Sequence, residues 1–181
     1  MKKRTTKDQW LQAALDSLLE SGIHGISIER LAQNLDTSKS GFYWHFNNKD
    51  DLLESILSYW ESEFTDTVIN SSTQQPETAD KKLQLISDMI MEHQLGRYDM
   101  PLRTWGNEDN GVRKRINKTD RKRLAYISEI FREVGFRGEE PENRASLFIL
   151  YHAFLDSMFL DDSAEKRRKK VRAYNKLLMN K

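Results

Sequence analysis

The chain has 181 residues, 38% hydrophobic and 31% charged, with a formal net charge of +1; that supports a packed core and excludes a disordered polyelectrolyte. Zero Cys excludes disulfides, thiolate zinc sites and a cysteine nucleophile. A charge this near zero advertises no nucleic-acid partner, so any such partner must be argued from a motif.

Thr6 followed by Gln9 reads as a capping box, and Trp10, Leu11, Ala14, Leu15, Leu18 and Leu19 then form one apolar stripe, closed by Gly22. Ser27 is placed to cap a second short helix with Ile28, Leu31, Ala32 and Leu35 inward. Asp36 and Thr37 make a turn. Ser38 caps a third helix through Phe46, and Asn48 caps a fourth, in which Leu52, Ile56, Trp60, Phe64 and Val68 keep helical spacing to about Asn70. The polar run from Ser71 to Pro76 has no apolar anchor and reads as a loop.

Beyond that loop the pattern stays helical. Leu83, Ile86, Met89, Ile90 and His93 mark a fifth helix, and Pro101 to Trp105 a short sixth bounded by Gly96 and Gly106. A long seventh runs from about Glu108 to Val134 and stops at Gly135. Pro141 opens an eighth, apolar nearly all round from Leu147 to Leu160, and Ser163 caps a ninth carrying Val171, Tyr174, Leu177 and Leu178. No segment alternates with period two. The expected fold is all-α with about nine helices: a three-helix unit over residues 1–50, helix four connecting from 49 to 70, and a helical regulatory domain over 51–181.

Catalysis and metal binding find little support. His24, His45, His93 and His152 are too far apart for a helical ligand pair, no nucleophile is matched to a base, and no Gly-rich phosphate loop is present. The expectation is no enzyme activity, no metal and no cofactor. Leu147 to Leu160 is too short and too interrupted, by Asp156, to span a bilayer, which takes roughly 20 apolar residues. Asp8 and Gln9 stand where a leader after Lys2, Lys3 and Arg4 would need an apolar run. A soluble, cytoplasmic protein without a membrane partner is expected. The basic run Arg113, Lys114, Arg115, Lys118, Arg121, Lys122 and Arg123, like the run from Lys166 to Lys170, reads as a solvated helix face.

The informative stretch is Ser27 to Leu53. Two short capped helices joined by a tight turn are a helix-turn-helix, whose second member can lie in a major groove. There, hydroxyls and Lys address base edges and phosphates, and aromatic rings touch thymine methyls and sugars. This helix bears Ser38, Lys39, Ser40, Tyr43, Trp44 and His45, while Phe42 and Phe46 belong to the core. In Ser27, Leu31, Ala32, Ser38, Phe42, Tyr43, His45, Phe46, Lys49 and Leu52, over roughly residues 6 to 60, the sequence resembles the TetR family of bacterial transcriptional regulators.

The resemblance implies that Ser38, Lys39, Ser40, Gly41, Tyr43, Trp44 and His45 face DNA, and that Ser27 and Lys49 grip phosphate at helix N-termini. The turn position often held by Gly in that family is Asp36 here, a residue that tolerates a left-handed backbone better than most. Residues 1 to 50 hold seven basic against six acidic side chains, so the positive charge must be one-sided to act.

The resemblance also implies a small-molecule site in the C-terminal half. Met89, His93, Met100, Trp105, Tyr126, Tyr151 and His152 combine polar tips with large apolar bodies and could line a cavity between helices five to eight. The apolar circumference of helix eight needs cover, which a homodimer through helices eight and nine would supply. The implied function is a repressor that binds a palindromic double-stranded operator as a homodimer and leaves it when an effector binds. The alternative is a ligand-independent helix-turn-helix protein acting through DNA occupancy or protein partners.

Overall fold

A computed structural model describes residues 5–74, 78–157 and 161–180. Among these residues there are nine α-helices and no strand: α1 (Lys7–Ser21), α2 (Ile28–Asn34), α3 (Lys39–Phe42), α4, α5 (Ala79–Glu92), α6 (Asp99–Glu108), α7 (Asn110–Val134), α8 (Glu140–Phe154) and α9 (Ala164–Met179). Helix α4 comprises Lys49–Glu61, a π-helical turn Ser62–Asp66 and Thr67–Gln74 without a break. Short 3-10 turns, Ile23–Gly25, Leu95–Tyr98 and Leu155–Ser157, complete the chain path.

The caps fall where local chemistry puts them. Thr6 and Gln9 exchange both bonds of the capping box, Ser27 accepts from the Arg30 amide at 3.2 Å, and Asn48 accepts from the Asp51 amide at 2.9 Å. Asp36 adopts φ 46° in the turn between α2 and α3, the left-handed conformation its side chain tolerates. Gly135 ends α7 at φ 103°.

Four expectations are corrected. The third helix stops at Phe42 and continues only as a turn, and Ser38, at its N-cap, makes no capping bond. Beyond that turn the Asp51 carboxylate accepts from both the backbone and side-chain nitrogens of Asn47, each at 2.9 Å, at the start of α4. Helix α4 runs on through Ser71–74, because hydroxyls replace the missing apolar anchors: buried Ser72 returns its hydroxyl to the Val68 carbonyl (2.9 Å) and meets the Tyr126 hydroxyl of α7 at 2.8 Å. Residues 75 and 76 of the expected loop lie outside the described residues. The sixth helix extends to Asp99 and Glu108 and takes Gly106 inside it, where an added Cβ would lie 2.9 Å from Ile116 Cδ1 of α7. Finally, α8 ends at Phe154, and 158 to 160 of its expected apolar run lie outside the described residues.

The apolar core is continuous from Trp10 to Leu178. In its N-terminal part Trp10 meets Phe42 edge-on at 5.4 Å, and Phe42 stacks on Phe46 at 5.2 Å. Such rings dominate core energetics, and deleting one costs about 3 to 5 kcal/mol. The same core holds α4 against α7. Part of the basic run on α7 is also corrected from solvated face to interhelical clamp: Arg115 bonds Glu61 at 2.6 and 2.9 Å and Glu54 at 2.5 Å, all on α4. Lys122 reaches Asp66 at 2.7 Å. Periodicity alone could not show that α4 would supply acids along this face. The basic run on α9 stays exposed, with local pairs such as Lys169 to Glu165 at 3.0 Å.

Candidate nucleic-acid interface and ligand cavity

The short helix α3 and the turn that follows it divide their residues by burial. Phe42 and Phe46 are sealed, whereas Tyr43 is 59% and Trp44 73% exposed. Ser38, Lys39 and Ser40 share that exposed edge. Ser38 and Ser40 hydroxyls lie 2.7 Å apart, and Lys39 forms a 2.6 Å pair with Glu29 of α2. Both partners of that pair are exposed, so it is weak and exchangeable.

The other predicted contact residues are placed less simply. Gly41 is half-buried, and a Cβ there would lie 3.3 Å from the Thr37 hydroxyl and 3.9 Å from the Trp10 ring, a close approach of α3 to α1. His45 is half-buried, its Nε2 2.8 Å from the Thr5 carbonyl. Ser27 spends its hydroxyl on the α2 cap, and half-buried Lys49 stands in the first turn of α4. The structure thus brings all nine residues to one helix-turn-helix unit, with Ser38, Lys39, Ser40, Tyr43 and Trp44 the most exposed.

The sequence profile described as bacterial regulatory proteins, tetR family, matches residues 11–56. Residues 11–56 thus match the DNA-binding domain of the tetR family. SrpR, an HTH-type transcriptional regulator of Pseudomonas putida, is 24% identical over 144 residues, which are 76% of this chain and 65% of that protein. The class A tetracycline repressor protein from transposon 1721, of Escherichia coli, is 41% identical over 46 residues, 25% of this chain and 21% of that protein. The chain therefore spans just under two thirds of the first relative and about a fifth of the second. A solved structure, AibR in complex with isovaleryl coenzyme A and operator DNA, shares the fold at a TM-score of 0.71 with 17% identity, covering 95% of each chain.

A cavity of about 60 Å³ lies between α4, α5, α7 and α8. The π turn sets one wall. By inserting an extra residue into the helical repeat it turns adjacent Phe64 and Thr65 both inward. Apolar side chains from all four helices make most of the lining, with Asp99, Arg123, Tyr126 and His152 as the larger polar groups. Arg123 donates to Thr65 at 2.9 Å and to Asp99 at 3.1 Å. Gly96 is required where the 3-10 turn crosses α8, since a Cβ would lie 2.4 Å from the His152 carbonyl oxygen. Burial pushes His152 down to about 4, so its imidazole is neutral at pH 7.

Of the seven predicted ligand residues, only Tyr126 and His152 line this cavity. Met89 and His93 line a separate groove that also includes Gln12 and Tyr98, and Met100, Trp105 and Tyr151 line neither space. Tyr151 instead stacks on Tyr174 of α9 at 4.0 Å. Sequence reasoning missed Thr65, Asp99 and Arg123. Arg123 was hidden among surface-looking cations, and nothing in the spacing marks a π turn. Among the described residues no group of three His, Asp or Glu could hold a metal ion, and no helix is long and apolar enough to cross a membrane.

Proposed function

We propose that the chain is a DNA-binding transcriptional repressor that sits on a two-fold operator as a homodimer and leaves it when a small molecule occupies the C-terminal region. Residues 1–50 are the reading unit, α4 connects it, and residues from 51 onward form the regulatory domain. The observation that carries the DNA reading is the exposure of Tyr43 and Trp44 beside sealed Phe42 and Phe46. Leaving two large rings in water forgoes roughly 1.5 to 3 kcal/mol of burial each, and with Ser38, Lys39 and Ser40 alongside they fit a groove edge.

The dimer reading rests on the second exposed apolar set. Leu147 is 53%, Leu150 54%, Phe154 43% and Leu177 65% exposed, all on α8 and α9, and a two-fold axis through these helices would cover them. Regulatory release is supported by the names of two similar proteins, a tetracycline repressor and a complex with both an acyl coenzyme A and operator DNA. In this reading the protein catalyses no reaction.

The small volume of the cavity favours the rival, a ligand-independent regulator, because drug-sized ligands occupy about 300 Å³ or more. The test is selection of binding sites from random duplex DNA, followed by titration of the selected site. A palindromic site bound with two-to-one stoichiometry supports the proposal; failure to enrich any sequence overturns it. A metabolite screen for loss of that complex then separates the two readings.

A further inference from the structure

We infer that the cavity between α4, α5, α7 and α8 takes a small, uncharged, mostly apolar molecule bearing one hydrogen-bond donor, an alcohol or a phenol, whose hydroxyl is received by His152. The inference rests on the proposed reading of this region as an effector site.

The lining selects against charge. Phe64, Val68, Ile86, Ile127, Phe148 and Ile149 make an apolar enclosure. Among the described lining residues the charged groups are Asp99 and Arg123, and they pair with each other at 3.1 Å. Arg123 is further held by the Thr65 hydroxyl at 2.9 Å and lies over the Trp60 ring. An ionic ligand would have to break that pair or enter without a counter-charge, and either is expensive at low dielectric. The Tyr126 hydroxyl is already engaged with Ser72 and Thr73.

His152 is the polar group left incomplete. It is 4% exposed, borders the cavity, and its Nδ1 has no hydrogen-bond partner. The network behind it indicates which nitrogen carries the proton. Asn175 Nδ2 donates to Ser87 Oγ at 2.9 Å and to Gln84 at 3.1 Å. Ser87 Oγ has one hydrogen, which the Leu83 carbonyl at 3.1 Å can accept, and lies 3.0 Å from His152 Nε2. In this arrangement Nε2–H donates to Ser87, so Nδ1 is a bare acceptor and no donor is orphaned, the rarer and costlier defect. Asn175 Oδ1 is likewise a buried acceptor without a partner. The region has acceptors to spare and lacks a donor, which is what an incoming hydroxyl supplies.

His152 and Ile90 also border a wider polar groove, lined by Gln94, Asp156 and Arg167 among others, so a hydroxyl at His152 sits at the polar margin of an apolar space. The volume, about 60 Å³, is below the roughly 150 Å³ of an apolar cavity that admits benzene. A ring therefore enters only by moving lining side chains. Those on the π turn, Phe64 and Thr65, belong to the helix that begins beside α3.

The test uses the full chain with phenol and its near-isostere toluene. Nitrogen-15 spectra of the histidines at pH 7 should show His152 with bare Nδ1, shifting as phenol is added and not with toluene. By calorimetry the phenol-to-toluene affinity ratio should be at least tenfold higher for the wild type than for His152→Phe. A protonated Nδ1, or a ratio unchanged by the substitution, overturns the inference, as does absence of a phenol-induced shift up to its solubility limit. Since the spectra need no variant, a poorly folding His152→Phe leaves the question decidable. Operator binding measured in parallel separates the two layers. Phenol bound at His152 without operator release upholds the ligand class and overturns release by occupancy of this cavity; release by a charged compound seated in this cavity overturns the ligand class and upholds release.

Discussion

The guanidinium of Arg123 lies over the indole of Trp60, 4.7 Å from the ring centroid. Through this contact the middle of α7 touches the middle of α4, the helix that starts next to α3. With the pairs from Arg115 to Glu54 and Glu61 and from Lys122 to Asp66, it makes a polar seam along α4. That helix spans roughly 39 Å at 1.5 Å per residue. In the proposed homodimer the paired recognition helices must stand about 34 to 36 Å apart on a two-fold site, so a tilt of α4 in each protomer would change DNA affinity. A tenfold effect requires only about 1.4 kcal/mol of differential binding.

Arg123→Met should destabilise the fold by roughly 3 to 5 kcal/mol, because it removes the cation that is hydrogen-bonded to Asp99, which is 7% exposed. Adding Asp99→Leu should recover much of the loss, since an apolar pair strands no charge. Urea unfolding of both variants measures this, and a loss under 1 kcal/mol for Arg123→Met would show that the pair is dispensable.

Tyr43→Ala and Trp44→Ala should leave urea midpoints nearly unchanged, as exposed substitutions shift stability by about 0.5 kcal/mol or less, while weakening binding to the selected operator about tenfold. Lys49→Ala should lower the slope of log affinity against log salt by about 0.9, the signature of one lost phosphate contact. Unaltered affinity in all three variants would remove α3 from the DNA interface.

Leu150→Asp and Leu177→Asp should yield folded monomers, since both side chains already face solvent in one protomer and their proposed cover is the second copy. Leu178→Asp should instead unfold the chain, because Leu178 is 5% exposed within its own core. Sedimentation velocity and circular dichroism separate these outcomes. A wild type that stays monomeric at micromolar concentration would refute the dimer.

Acid should destabilise the protein through His152. Its native value, about 4, lies below the ordinary 6.5, so between those values the unfolded chain binds the extra proton. Stability conferred by the neutral imidazole is complete above pH 6.5 and declines as pH falls toward 4, by up to about 3 kcal/mol. The difference in unfolding free energy between wild type and His152→Phe, followed from pH 7 to 4, isolates this contribution from that of the carboxylates. A pH-independent difference would mean that His152 titrates normally.

Most of the helix-turn-helix was legible in the chain, since its signals are local. Thr6, Ser27 and Asn48 cap within three residues of themselves, Asp36 takes the left-handed conformation its turn needs, and Trp10, Phe42 and Phe46 sit at spacings that only an inward face explains. The cavity was not legible for the opposite reason. His152 and Tyr126 line it while His93, Trp105 and Tyr151 do not, although all carry the same apolar-with-polar-tip signature. Which of them meets an empty space depends on how four helices are rotated, and residue type does not encode that rotation.

Sequence by itself determined the all-α class, the caps, the recognition motif and the apolar stripes, because hydrogen-bond capping and 3.6-residue periodicity act between residues close in the chain. Tertiary structure decided the rest. It turned Arg115 and Arg123 from surface cations into clamps on α4, carried α4 through a π turn to Gln74, and sealed His152 with one nitrogen unmatched. Each of these outcomes depends on partners some 50 to 90 positions away, as with Arg115 and Glu61, Tyr126 and Ser72, or Asn175 and Ser87. Burial and counter-charge act through space, so these roles exist only once the helices have packed.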